Sequence, residues 1–176
     1  MGLNYKSLDN LTRQKMLEEF NHDTQTNNLY LSKRFNDQGR IHYQQKMPYH
    51  IQNGNDDSLA EDLRAKNSFL LHEDRKTTKG ISKVKVPETA AQTFAEGEFN
   101  RFYLRGLCLR AIAENKRIII YRGRYSENPR SESEALIGLI FEPNQLLNDL
   151  RTNIGVDTAL GLPPGPNSGL TAELIS

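Results

Sequence analysis

Tryptophan is absent from this 176-residue chain, and cysteine occurs once, as Cys108. A single cysteine excludes an internal disulfide and fits a reducing compartment. It also offers no thiolate pair for zinc, and the spacing of the histidines is not typical of metal ligands. All of the histidines lie in the polar N-terminal part of the chain, at His22, His42, His50 and His72. We therefore expect no bound metal and no cofactor.

The chain also lacks a long apolar segment. No run approaches the roughly 18 to 20 residues that a transmembrane helix needs, and residues 1–10 contain no apolar signal region. Lys6 stands where the myristoylation pattern requires serine or threonine. We therefore expect a cytoplasmic protein without a membrane partner.

Neither sign of charge is in large excess. Lysine and arginine together number 23 and aspartate and glutamate 22, which gives a net charge of +1. This balance neither favours nor excludes a nucleic-acid partner for the chain as a whole. The length corresponds to one domain, or to one domain with an N-terminal appendage, and it suffices for a core without disulfides.

Residues 1–80 are polar and predict a helical region. Ser7 or Asp9 can cap the first helix, and Pro48 ends or kinks the second. The predicted helices run from about Asn10 to His22, from Asp37 to Met47, and from a cap at Asp56 or Asp57 through Leu63. None of them has enough apolar surface to fold alone, so we expect them to pack on the rest of the chain or on a partner.

Residues 81–176 predict an α+β core. The charged segment 72–80 is predicted to be a linker that leads into this core. Residues 81–86 are predicted to form an edge strand that ends before Pro87. The further elements predicted are a helix that Gly97 breaks or kinks, a central helix over Glu98–Glu114, strands over 117–125, 135–141 and 170–175, and a helix that starts near Pro143. We predict a polar helical N-terminal region, packed on a small mixed sheet with a central buried helix.

The central helix is apolar nearly all round, which is typical of a buried helix. Glu98, Arg101 and Arg105 form a polar seam through it, at spacings of three and four residues that bring side chains into reach. Two interpretations stay open. The seam is either an internal salt-bridge network that positions the helix, or a pair of arginines that line a cleft and bind an anion.

Arginine is concentrated around this helix. Residues 101–130 contain eight arginines and lysines against two glutamates, a net charge of +6. Arginine suits bidentate recognition of phosphate, and nearby tyrosines suit stacking on bases or sugars. The candidate ligand-binding residues are Arg101, Arg105, Arg122, Arg124, Arg130, Tyr103 and Tyr121. The alternative is that neighbouring glutamates neutralise this charge inside the fold.

Two Glu-x-Glu pairs flank the arginines, at residues 96–98 and 132–134. Carboxylates of this kind hold divalent metals in two-metal phosphodiesterases. Such sites usually add aspartate and lysine, and the sequence does not specify that arrangement. Glu98, Glu132 and Glu134 are therefore possible acid partners of the arginines, and an enzyme acting on a phosphodiester or nucleotide is a third hypothesis.

The segments GEFNRFYLRGLCLRAI (97–112) and ALGLPPGPNSGL (159–170) resemble those of a group of small stand-alone bacterial proteins, some of them linked to phage or other mobile elements. The resemblance covers most of the chain. It implies a bacterial or phage cytoplasmic setting and a single α+β domain. It implies no activity and therefore no catalytic residue.

The first functional hypothesis is a binding protein for a phosphate-bearing ligand, most favourably nucleic acid, that uses the arginine-rich region. The alternative is a structural or interaction protein that self-assembles or docks on a partner. In that case the N-terminal helices and the Pro/Gly-rich loop 161–169 form the contacts, and the arginines are internal ion pairs. The salt dependence of binding distinguishes the two hypotheses, because phosphate binding weakens steeply with ionic strength whereas apolar docking does not.

Overall fold

The computed structural model of the protein describes residues 2–78, 80–155 and 168–176. In these ranges the α+β class is confirmed, with helices dominant and two small antiparallel sheets. The elements are α1 Asn10–Gln25, α2 Asp37–Asn53, α3 Asp56–Ala65, β1 His72–Thr77, β2 Gly80–Lys85, α4 Ala90–Glu114, β3 Arg117–Arg122, α5 Ser131–Glu134, β4 Ile140–Phe141, α6 Pro143–Thr152 and β5 Leu170–Ile175. The loop 161–169 lies outside the described residues except for its last two positions. No helix in the described ranges is both long and apolar enough to cross a membrane.

The central helix α4 is buried along most of its length, as expected. It runs without interruption through Gly97, so the predicted break there is wrong. A glycine costs a helix only about 1 kcal/mol relative to alanine. Phe94 and Phe99, on either side of Gly97, are both buried and hold the helix in the core. Asn115 ends the helix in a left-handed conformation, with φ of 51°.

Helices α1, α3 and α6 pack on α4. Gly106 permits a close approach of α1 to α4, because a Cβ atom there would lie only 3.0 Å from Cγ of Met16 and 3.1 Å from the carbonyl oxygen of Thr12. One cluster of buried apolar side chains includes Phe20 and Tyr43 from the N-terminal helices together with Leu107 from α4. The predicted division at residue 80, and the expectation that the N-terminal helices do not fold alone, stay predictions.

The helix ends differ in two places from those predicted. Helix α2 continues through Pro48 to Asn53, because Met47 and Ile51 on its inner face are fully buried, and their packing outweighs the cost of the proline. Helix α3 has Asn55 as its N-cap instead of an aspartate. Asp9 caps α1 as predicted, accepting a hydrogen bond from the backbone N–H of Thr12 at 2.9 Å.

Strand β3 lies between β4 and β5 in a three-stranded antiparallel sheet, where a mixed sheet was expected. Ile118 and Ile120 of β3 face the core and are buried. The predicted strand over 135–141 is wrong except for its last two residues. Gly138 has a φ of +84°, which interrupts an extended chain, and Leu139 is largely exposed instead of facing the core.

The predicted linker over 72–80 is also wrong, because β1 and β2 form a two-stranded antiparallel hairpin there. We call β1 and β2 together the ribbon. The backbone of Val86 donates to the carbonyl of Leu71 at 3.0 Å and closes its base. Above this base most side chains of both strands are exposed. Alternating β-branched residues predicted β2, but the charged β1 gave no apolar signal and forms only by pairing with it.

Candidate functional site

Arg105 lies at the centre of the structure, where α4 meets α1. Its guanidinium is fully buried and donates from Nε to Glu19 at 2.7 Å and from Nη1 to Asp23 at 2.6 Å. Arg151 on α6 donates to the same Glu19 from Nε at 3.0 Å. Burial acts to raise the pKa of Glu19, but the hydrogen bonds and charges of Arg151 and Arg105 outweigh it, so this pKa lies below its ordinary value. The ion pairs that Glu19 forms with Arg105 and Arg151 thus connect α4, α1 and α6 inside the protein.

Arg101 lies one turn before Arg105 and is also buried. Its Nε is 3.2 Å from Oε1 of Glu98, and its Nη1 donates to the carbonyl of Asn153 at 2.8 Å. Burial raises the pKa of Glu98, and the charge of Arg101 opposes this rise. The seam predicted on α4 therefore exists as internal ion pairs.

The two candidate tyrosines are structural contacts as well. The hydroxyl of Tyr103 is buried, donates to the carbonyl of Ala172 at 2.9 Å and accepts from the backbone of Ser7 at 3.1 Å. The hydroxyl of Tyr121 donates to the carbonyl of Asn4 and accepts from the backbone of Lys6 at 3.0 Å. Both hydroxyls hold the segment before α1 against the sheet.

The arginines after β3 have partners too. Arg122 forms an ion pair with Glu134 and donates to the carbonyl of Ser168 at 2.9 Å. Arg124 lies 3.2 Å from the buried carboxylate of Glu96. Arg130 precedes α5, is half-buried and likewise has an interaction partner.

The two Glu-x-Glu pairs are separated by these contacts. Glu98 and Glu96 pair with different arginines, Glu134 pairs with Arg122, and Glu132 is exposed. In the described ranges no three histidine, cysteine, aspartate or glutamate side chains are placed so that they could hold a metal ion together. Glu98 and Glu134 act as counter-ions of arginines, whereas Glu132 accepts a hydrogen bond from the hydroxyl of Ser131 at 3.4 Å.

The expectation that Arg101, Arg105 and Tyr103 belong to an exposed ligand surface is therefore wrong. Their side chains are buried because α1, α6 and β5 cover the central helix and supply carboxylates and carbonyls as partners. Arg122, Arg124 and Arg130 are partly exposed, but none of them is free. Most of the positive charge in this part of the sequence is paired within the fold, whereas Arg117 is exposed and donates to the backbone carbonyl of Ser176 at 3.1 Å.

The ribbon carries exposed positive charge. Residues 72–86 contain five arginines and lysines against two acids, a net +3, whereas the whole chain has +1. In the register of the ribbon, Lys76 pairs with Ile81, Asp74 with Lys83, and His72 with Lys85. Directly opposed residues share a face of an antiparallel pair, so Lys76, Lys83 and Lys85 lie on one face.

The base of the ribbon is fixed to the body of the protein. Arg34 donates to both carboxylate oxygens of Glu73, from Nε at 2.7 Å and from Nη2 at 2.8 Å. The backbone of Leu70 donates to the carbonyl of Arg34 at 2.8 Å, and Phe35 pairs with Phe69 as an isolated bridge. These contacts hold one end of the hairpin and leave the other in solvent.

The lysine face has few internal partners. Within the described ranges Lys76 and Lys83 form no ion pair, and Lys85 contacts only Glu88, at 3.1 Å on the surface. Ile81 on the same face is 78% exposed. An unpaired basic face with an exposed apolar side chain at its tip is the arrangement that the sequence-based prediction missed. The net +3 of this segment was the available signal.

Comparisons of the chain with protein-family models, with curated proteins and with solved structures find no match. The resemblance to small bacterial and phage-linked proteins therefore stays a prediction.

Proposed function

We propose that this protein binds nucleic acid through the lysine face of the ribbon. The observation that carries the proposal is the exposed face with Lys76, Lys83 and Lys85, which keeps a net positive charge although Asp74 lies opposite Lys83. Within the described residues neither Lys76 nor Lys83 forms an ion pair. The ligand class is the one that the sequence analysis favoured. The surface is different, because the arginines of α4 and β3 are used within the fold.

The shape of the ribbon supports duplex DNA as the ligand. Two paired strands lie about 4.8 Å apart, and the major groove of B-DNA, about 12 Å wide, admits a two-stranded ribbon. Six residues per strand span about 20 Å. Lysines along one face can then reach phosphates at the groove edges, while Ile81 faces the base edges and contacts thymine methyl groups.

The experiment is a fluorescence-anisotropy titration of a short labelled duplex at several salt concentrations. Three lysine contacts with phosphates give a slope of log K against log salt of about −3. The double variant Lys76→Gln/Lys83→Gln should lower the affinity and make this slope shallower by about 2, because each lost phosphate contact contributes about one.

The matched control is Lys15→Gln/Lys66→Gln, which removes the same charge from α1 and from the end of α3. This control should bind like the wild type. Equal losses in both double variants would show that only net charge matters. No binding at low salt by the wild type would contradict the proposal itself.

A second function has one specific observation in its favour. Both strands of the ribbon have an unpaired edge, and Ile81 and Leu71 are each 78% exposed. Exposed strand edges pair readily with another chain, so the ribbon is suited to self-assembly. Light scattering coupled to size exclusion distinguishes the two functions. A dimer that Ile81→Lys converts to monomer, with no affinity for DNA, would favour the interaction protein.

A further inference from the structure

Helices α2 and α3 border a surface cleft of about 430 Å³, which shares no residue with the ribbon or the arginine network. The polar and aromatic residues that line it are Lys46, Tyr49, His50, Ser58, Glu61 and Asp62. Three of them form a continuous hydrogen-bonded chain. Neither the proposed nucleic-acid binding nor the core packing depends on these hydrogen-bonded side chains.

These hydrogen bonds connect the hydroxyl of Ser58, the imidazole of His50 and the carboxylate of Asp62. Oγ of Ser58 lies 3.0 Å from Nδ1 of His50, and Nε2 of His50 lies 3.1 Å from Oδ2 of Asp62. Nε2 of His42, two turns earlier on α2, lies 3.0 Å from the same carboxylate oxygen. The ring of His50 is buried, whereas Ser58 lies at the edge of the cleft.

The positions of the protons follow from these contacts. Burial acts to raise the pKa of Asp62, but hydrogen bonds from His50 and His42 outweigh it and place this pKa below its ordinary value. The ionised carboxylate of Asp62 accepts a hydrogen bond from the N–H at Nε2 of His50. In neutral His50 the lone pair is then on Nδ1 and points at the hydroxyl of Ser58.

We propose that Ser58 is the nucleophile of a hydrolytic site for small carboxylic esters. His50 is the general base, and Asp62 and His42 are positioning residues that set the tautomer and orientation of the imidazole. The order of ring nitrogens is reversed relative to the usual triad, with Nδ1 toward serine. Either nitrogen can accept a proton, so the relay operates in this orientation.

The reaction balances with water as the only co-reactant. Oγ of Ser58 bonds to the ester carbonyl carbon as its proton passes to Nδ1 of His50, and the carbon–alkoxide bond breaks as that proton passes to the leaving alcohol. Water then attacks the acyl-serine as one of its protons passes to His50. The bond from Oγ to the acyl carbon breaks as that proton returns from His50 to Oγ, which releases the carboxylic acid and free Ser58. Lys46 is the cation in the cleft available to the charge that develops on the carbonyl oxygen.

Two features hold the hydroxyl in place. Ser58 takes part in a capping box with Asn55 at the start of α3, where the backbone N–H of Asn55 donates to Oγ at 2.9 Å. Gly54 lies against it, since a Cβ atom there would be only 2.2 Å from Oγ. The hydroxyl also donates to the carbonyl of Asn55 at 2.8 Å, so this carbonyl and Nδ1 of His50 are alternative acceptors for its single proton.

The test is covalent labelling with a fluorophosphonate, followed by peptide mapping. Oγ forms a bond to phosphorus, fluoride leaves, and His50 takes the proton. We expect one adduct per chain, on Ser58. The exposed hydroxyl of Ser131 is the internal reference and should stay unlabelled.

Variants separate the roles. His50→Gln should slow labelling by about 100-fold, the scale of a lost general base, and Asp62→Asn by at least about tenfold. Each variant is compared with the wild type by thermal unfolding, and Asp62→Asn provides the decisive result if His50→Gln does not fold. Labelling of Ser58 no faster than Ser131, or unchanged in folded Asp62→Asn, would overturn the proposal.

Discussion

The arginine-rich region around α4 and the ribbon have the same density of positive charge in the sequence. Residues 101–130 carry a net +6 over thirty positions and residues 72–86 a net +3 over fifteen, one excess charge per five residues in each. Their surroundings differ. Every candidate arginine of the first region has an internal partner, while two lysines of the second have no ion-pair partner in the described part of the chain.

This difference shows that charge density alone does not indicate a ligand. A buried arginine needs carboxylates, because an unpaired ion in the core costs several kcal/mol. Helix α1 supplies them with Glu19 and Asp23. A lysine on an exposed hairpin needs none, since water solvates it. The solvated charge is the one that stays available to a phosphate.

The largest effect is expected from Arg105→Ala. It leaves Glu19 and Asp23 buried with one guanidinium fewer, and we expect the free energy of unfolding to fall by about 3–5 kcal/mol. Urea denaturation followed by circular dichroism measures this. Arg124→Ala is the control, because its side chain is 25% exposed and its loss should cost much less. Equal unfolding midpoints for Arg105→Ala and the wild type would show that the buried ion pairs of Arg105 do not stabilise the fold.

Asp56 is a buried acid that forms no ion pair within the described residues. It is fully buried, and burial together with the charges of Asp57 and Glu96 raises its pKa from 3.8 to about 6, although a hydrogen bond from Leu3 opposes the rise. An acid whose pKa is higher in the folded state loses stability as the pH rises through that interval. The cost is therefore complete above about pH 6.

Asp56→Asn should remove this cost. We expect the variant to be more stable than the wild type by about 3 kcal/mol above about pH 6, and the difference to vanish near pH 4. Thermal and urea unfolding at several pH values would measure it. A variant that is less stable at neutral pH would show that the carboxylate of Asp56 is compensated in the native state.

Ile81→Glu tests the ribbon without touching the core. Ile81 lies opposite Lys76 and is exposed, so the midpoint of unfolding should not change. The new carboxylate neutralises a neighbouring lysine, and the slope of log K against log salt should become shallower by about one. Ile81→Gln controls for the loss of the apolar side chain. If Glu and Gln weaken binding equally, charge is not the cause.

The smallest effect is expected from Glu88→Gln, which releases Lys85 from a contact that is exposed on both sides. The stability should not change, because exposed ion pairs contribute little. The affinity for duplex DNA should rise slightly, as a third lysine becomes unpaired. A lower affinity would mean that the lysine face is not the binding surface.

Local signals in the sequence predicted much of the fold. The cap at Asp9, the burial of α4, the helix from Pro143 and the last strand over Leu170–Ile175 were all predicted. The errors lie where distant packing decides. Pro48 and Gly97 did not end their helices, because buried neighbours hold the chain helical on both sides.

The candidate site was less predictable than the fold. His42, His50 and Asp62 are separated by eight and twelve residues, and only the packing of α2 against α3 brings them together beside Ser58. The proposed binding face depends on register as well. Lys76 and Lys83 share a face because of how β1 pairs with β2, and β1 alone has no apolar pattern.

Most of the helices, the burial of the central one and its need for charge partners could be predicted from the sequence alone, whereas the short α5 was not predicted. Those properties follow from local periodicity and from the cost of burying an ion. Only the tertiary structure decided where the counter-ions come from, because carboxylates more than 80 residues from Arg105 meet it through the packing of α1 on α4. It also decided which cations remain in solvent, since pairing depends on contacts between distant segments.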